Sequence, residues 1–289
     1  MSYKMNSGTS YRWLSGKTVT LPVNKTRIIA LFLALNYLII LLDITTAHIG
    51  NHFSNSFEWI PIIFSPIAIV TSLILFLKDK SAWSMKLHMW VNAIGVLIGI
   101  FGFIFHISGL MDRASFTLSN LVGGNNPVFA PLAFVGTGII GVIIAQKDKP
   151  LANNSSKNIL SVKTRQLLLA ISFWFFTTGL DAFFEHAQTS FTNLLTWVPI
   201  IIGLFGAMVC LMQVFTPSTD TASITLLTVT MILCFIIGLL GFFFHISSDL
   251  SNAWSWNSLF YQAPWLAPLL FSDLGIWGMI VILEPIESY

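Results

Sequence analysis

The chain has 289 residues, of which 55% are hydrophobic and only 9% charged, and its mean hydropathy is +0.80. So few polar groups cannot cover a water-soluble globule, which predicts a polytopic membrane protein of the all-α class. The formal net charge of +2 comes from dispersed residues that give no support for nucleic-acid binding.

Residues 1–24 are a polar tail with no apolar segment followed by a cleavage site, so the first helix is expected to direct insertion. A crossing needs about 20 apolar residues for a core of about 30 Å. Such windows fall near 28–50, 59–77, 87–109, 128–146, 166–188, 197–215, 225–247 and 265–283, which predicts eight transmembrane helices. They group as residues 25–146 and 163–283, joined by a polar linker at 147–162 and followed by a short tail at 284–289. Of the 14 Lys and Arg residues, only Arg113 falls in a loop on the far side when eight helices are threaded. The positive-inside rule then puts both termini in the cytoplasm, and the plasma (cell inner) membrane is the expected location.

The two halves repeat one another. Lys25-Thr26-Arg27, Asp43, His48 and Trp59-Ile60-Pro61-Ile62 recur 138 positions later as Lys163-Thr164-Arg165, Asp181, His186 and Trp197-Val198-Pro199-Ile200. Gly99, Gly102 and Phe105-His106-Ile107-Ser108 recur as Gly238, Gly241 and Phe244-His245-Ile246-Ser247, and Ala130-Pro131-Leu132 as Ala267-Pro268-Leu269. Four spans per copy is an even number, so both copies enter in the same direction, as a parallel repeat about an axis along the membrane normal. The glycines permit close helix approach. Equivalent residues then lie at equal depth.

At about 1.5 Å per residue from Arg27, Lys86 and Arg165, Asp43 and Asp181 lie about 24 Å across and His48, His106, Glu185 and His186 about 30 Å across. His245 matches His106 by the repeat. Seven ionisable groups therefore share one shell near the outer edge of the hydrocarbon. A lone His or Asp near a helix end can simply meet interfacial water, but carboxylates at this depth are costly and only Arg113 could neutralise them. Bound cations would do so, and mixed imidazole and carboxylate donors suit Fe, Cu, Mn or Zn, with Asp43 and Asp181 also able to orient a ligating His.

The leading expectation is an integral-membrane metal-dependent oxidoreductase. Its mono- or dinuclear centre is held by His48, His106, His186, His245, Glu185, Asp181 and Asp43, with iron or copper favoured and zinc hydrolysis a variant. Glu185 and Asp181 are the catalytic candidates, Glu185 as bridging ligand or proton acceptor, and a small or lipophilic substrate or electron donor would reach the site from the outer leaflet. The alternative is a haem b electron carrier with one haem between His48 and His106 and another between His186 and His245. A proton or metal-ion transporter is the third reading, for which His88 and Asp273 are the only polar stepping points in the inner half.

The remaining polar residues have ordinary readings. His88 is expected at the interface and Glu58 in loop water. Asp273, where the first copy has Gly136, fits a proton relay, a helix–helix hydrogen bond or an extra contact equally. His48 and His52 have one-turn spacing, but Gly50 is placed to end the helix between them. Cys210 and Cys234 fall within helices and are expected to pack as small hydrophobes, with no disulfide framework. The aromatic loop from Asn252 to Trp265 reads as an interfacial belt.

Overall fold

A computed structural model describes residues 9–12, 18–50, 52–113, 127–146, 160–216, 220–250 and 265–285. Eight α-helices run through them: α1 (Lys25–Gly50), α2 (Trp59–Leu77), α3 (Ala82–Arg113), α4 (Leu132–Ile144), α5 (Val162–Ala187), α6 (Trp197–Phe215), α7 (Thr221–Leu250) and α8 (Leu269–Val281). Six segments, within α1, α2, α3, α5, α6 and α7, are long and apolar enough to cross a membrane. Helices α4 and α8 have 13 residues each, a length of about 20 Å, and each follows a turn. Most of the linker expected at 147–162, and all of the aromatic loop from Asn252 to Trp265 except Trp265, lie outside the described residues.

Local sequence sets the helix starts. Asn24 Oδ1 accepts from Arg27 N at 2.9 Å, Ser161 Oγ from Thr164 N at 3.2 Å and Asp220 Oδ1 from Ser223 N at 2.9 Å, each satisfying an amide that the first turn leaves unpaired. Asn55 and Asn193 do the same for the short 3-10 turns Ser56–Glu58 and Leu194–Thr196 that lead into α2 and α6.

The helices pack as two rings of four. In the first, α1 packs on α2, α2 on α3, α3 on α4 and α4 on α1; the second repeats this with α5, α6, α7 and α8. Helix α4 also packs on α5, and α8 on α1 and α5, so α1, α4, α5 and α8 form the seam between the rings. Leu33, Ile140, Ile171, Trp174, Leu274 and Trp277 fill that seam as one buried cluster. The outer faces are the reverse of a soluble protein: Ile63, Trp90 and Met208 are all more than 60% exposed. Apolar side chains turned outward on long apolar helices suit a lipid bilayer, where they meet hydrocarbon rather than water.

Basic residues lock the seam reciprocally. Lys25 of the first ring donates to the carbonyl of Val281 at the end of α8 (2.6 Å), and Lys163 of the second donates to that of Ile144 at the end of α4 (3.1 Å). A cation on a helix C-terminus satisfies an orphan carbonyl and opposes the helix dipole. Within each ring, Arg27 Nε donates to Phe76 O (2.6 Å) and Arg165 Nε to Val214 O (2.9 Å), again 138 positions apart.

The described residues of the polar tails form strands that the sequence did not suggest. Strands β1 (Thr9–Arg12), β2 (Thr18–Leu21) and β3 (Glu284–Pro285) form an antiparallel sheet in the order β2-β1-β3. Tyr11 pairs with Thr20's neighbour Val19 on one side and Pro285 on the other, and its buried hydroxyl accepts from Lys25 N at 2.5 Å. The sheet thus joins both chain ends over the start of α1.

Candidate functional site

Helices α1 and α3 face each other across the first ring, as α5 and α7 do across the second, because each of these pairs is separated by one intervening helix on either side. His48 lies two residues before the end of α1, and His106 near the same end of α3. Their rings stand 6.4 Å apart, centroid to centroid, with planes at 89°. His186 of α5 and His245 of α7 stand 6.2 Å apart at 84°. The four histidines are therefore two cross-bundle pairs.

The spacing is informative. With a metal–nitrogen bond of about 2.0 Å and about 1.1 Å from ring nitrogen to ring centre, two imidazoles on opposite sides of one metal would have centroids about 6.2 Å apart. A tetrahedral metal would bring them to about 5 Å. In the first pair both Nδ1 atoms are engaged: His106 Nδ1 lies 2.8 Å from the carbonyl of Pro127, and His48 Nδ1 lies 3.3 Å from Glu58 Oε2. Such partners hold the Nδ1 proton and leave Nε2 as the donor to a metal.

The same turn follows each first histidine. His52 and Phe53 have φ of 60° and 49°, and Ser190 and Phe191 have 52° and 51°. These left-handed pairs fold the chain back so that Phe53 stacks on Trp59 at 4.4 Å, and Phe191 on Trp197 at 4.4 Å. Helix α1 ends at Gly50, so His52 is exposed beyond it and does not share the face of His48.

The carboxylates go elsewhere. Asp181 accepts from the Phe129 main-chain N–H and is close enough to Glu185, one turn on, and to Asp43 of α1 for their charges to repel. It lines a small cavity, with room for about one water molecule, together with Trp174, Thr177, Thr178, Phe129, Ala130, Ala133 and Leu270. These residues come from α4 and the turn before it, from α5 and from α8, so Asp181 points into the seam while His186 points across its own ring. Glu185 receives a long hydrogen bond from Gln188 (3.4 Å). The shell of seven groups separates into two histidine pairs and a seam of carboxylates, and among the described residues no three His, Cys, Asp or Glu side chains are grouped so as to hold a metal ion.

Two single residues differ from expectation. Glu58 is not in open water; it is half-buried and is the carboxylate that reaches His48. His88 is fully buried rather than interfacial, with Nε2 3.1 Å from Asn92 Nδ2, while Tyr37 donates to Asn92 Oδ1 at 2.9 Å. Of the three roles open to Asp273, the structure adopts the helix–helix bond: Asn36 of α1 donates from Nδ2 to Asp273 Oδ1 of α8 at 2.5 Å. Cys210 and Cys234 are buried and free, as packing residues would be.

Comparison of the chain with known families, known proteins and solved structures finds no match, so its chemistry is argued from these residues alone.

Proposed function

We propose that this chain is an integral-membrane haem protein that carries two b-type haems, one on His48 and His106 and one on His186 and His245, and exchanges single electrons with a small or lipophilic partner. The observation that carries the reading is the pair of imidazole spacings, 6.4 and 6.2 Å, which match trans axial ligands on one iron. A porphyrin supplies four of six ligands itself, so two protein ligands complete the iron. A non-haem centre draws three or four from the protein, and among the described residues no three His, Cys, Asp or Glu side chains are grouped to hold a metal ion, which removes support from that expectation. Siting a cofactor between facing helices of a four-helix unit is a common use of that architecture.

In this reading the helices make eight crossings, with the turns before α4 and α8 completing the two short ones, and the two four-helix units are parallel copies. Both termini lie in the cytoplasm on the Lys- and Arg-rich end, and the haems lie toward the opposite face of the plasma membrane. Two haems at one depth do not carry electrons across the bilayer; they carry them along one face. Asp43, Asp181 and Glu185 then act in the seam as acceptors for a proton that accompanies an electron, rather than as ligands.

The test is an optical spectrum, a haem count and elemental analysis of the full chain purified from cells supplied with haem. A Soret band and two haems per chain are expected, falling to one in His106→Ala and in His245→Ala and to none in the double variant. Stoichiometric iron, copper or zinc without a Soret band would replace this reading by the non-haem one. Two haems retained in both single variants would overturn the ligand assignment.

A further inference from the structure

The small cavity in the seam is not lined like a packing void. The rings of Phe129 and Trp174 wall it, and its polar side chains, Thr177, Thr178 and Asp181, all come from α5. Residues three and four apart on a helix share a face, so the two threonines stand one turn before the carboxylate and on its side. Thr177 donates its hydroxyl to Trp174 O at 3.0 Å, which leaves the lone pairs of its oxygen for a further partner. Thr178 is only 6% exposed, and its hydroxyl makes no hydrogen bond to a described residue. A buried hydroxyl left unpaired is costly, and an occupant of the cavity would pair it. Asp181 accepts from the Phe129 main-chain N–H, but no Lys or Arg stands in the lining, and Asp43 and Glu185 add further negative charge beside it. At the matching positions α1 has Ile39 and Ile40 before Asp43, so the two hydroxyls belong to the second copy alone.

We infer that this cavity is a binding site for one monovalent alkali cation, held by the Asp181 carboxylate and the hydroxyl oxygens of Thr177 and Thr178 between aromatic walls. Oxygen donors select hard cations over the transition metals that imidazole and thiolate favour. Ca2+ asks for about six to eight oxygen ligands, and Mg2+ keeps several waters of its own. The cavity has room for about one water molecule, so it fits an ion that sheds its water. Aromatic rings beside the ion add to its attraction, and its charge offsets that of carboxylates buried at membrane depth. The ion takes the ionised form of Asp181, the form that also accepts a proton in the haem reading above, but the site itself needs no haem.

The experiment is a titration of the full chain in detergent micelles with NaCl and with KCl. Ionic strength is held constant with choline chloride, whose cation is too large for the cavity. Calorimetry counts the sites, and thermal unfolding reads the stabilisation that binding brings. One saturable site per chain is expected for at least one of the two ions, and none in Asp181→Asn. Thr178→Val keeps the side-chain shape and breaks no hydrogen bond to a described residue, so it keeps the test open if Asp181→Asn fails to fold; its affinity should fall about tenfold with one oxygen lost from the ion. A response to NaCl and KCl no different from that to choline chloride, or equal affinity in the wild type and Thr178→Val, would overturn the inference and assign the cavity to water alone, leaving the haem reading as it stands. A saturable site in a chain with no Soret band would remove the haem reading and leave this one.

Discussion

The bond between Asn36 and Asp273 offers a quantitative test of how the two rings are joined. Asn36 is 2% exposed and Asp273 7%; Asn36 Nδ2 donates to Asp273 Oδ1 at 2.5 Å, and Thr137 Oγ1 lies 3.3 Å from Asn36 Oδ1. Asn36→Leu keeps the volume but strands Asp273 Oδ1, at a cost of about 1–3 kcal/mol for a buried polar group left unpaired. Asp273→Leu strands the Asn36 amide and costs a similar amount. Removing both leaves two leucines facing each other, so the double variant should be less destabilised than the sum of the singles. In membrane proteins such coupling averages about 0.6 kcal/mol and reaches about 1.7 kcal/mol; with both groups this buried, the upper half of that range is expected. The pseudo-equivalent contact shows what an apolar solution looks like. Positions Asn36 and Asp273 correspond to Trp174 and Gly136, where a Cβ on Gly136 would stand 2.6 Å from Trp174 Cδ2. Asn36→Trp alone should therefore be severely destabilising, and Asp273→Gly should partly rescue it. The assay is reversible unfolding in mixed micelles followed by circular dichroism. Additivity of the two leucine substitutions within about 0.3 kcal/mol would show that the pair does not interact and would refute the reasoning.

Two further outcomes test the local geometry. A Cβ at Gly99 would stand 2.7 Å from Val135 Cγ2 and 2.8 Å from Val135 N, so Gly99→Ala should push α3 off α4 at a cost of about 1–3 kcal/mol. Because His106 lies two turns further along α3, the two-haem reading expects the haem count to fall from two toward one, with the His186 and His245 pair unaffected; equal loss at both pairs would count against independent four-helix units. Ser190 is exposed with φ of 52°. Ser190→Gly relieves a left-handed cost of about 1–2 kcal/mol against a larger entropy loss for glycine, so a net gain of about 0.5 kcal/mol in the same micelle assay is expected. A loss of stability would show that the turn carries no such strain.

Much of this was legible in the chain because it is periodic. Apolar windows marked the helices, and the repeat, at offsets of 138 and 139, marked His48 with His186 and His106 with His245, which the structure arranges as two ring pairs. Helix starts were less legible: α3 and α7 begin several residues before the apolar windows, where Ser81 and Asp220 accept from first-turn amides. Glu58 was missed because it is ten residues from His48 in a segment that reads as a polar loop, and only two consecutive left-handed residues return it to the histidine. Their signal, a repeated turn without glycine at those positions, has no sequence signature. His88 was misplaced for the opposite reason. Its closeness to a basic helix start suggested the interface, whereas its hydrogen bond to Asn92 lets it sit inside the ring.

By itself the sequence determined a membrane-type, all-helical chain with duplicated segments and a shell of histidines and carboxylates at one depth. Depth is a single coordinate, and it follows from rise per residue alone. The angle around each helix axis acquires meaning only when neighbours are packed against it. Asp43 and His48 are about 140° apart on α1, as Asp181 and His186 are on α5; such a sector can be read as one neighbourhood. Packing of α1 and α5 at the seam between two rings made it two, sending the aspartates inward to the seam and the histidines across their own bundles. The tertiary structure thus decided which groups meet, because each seam helix has a different neighbour on either side.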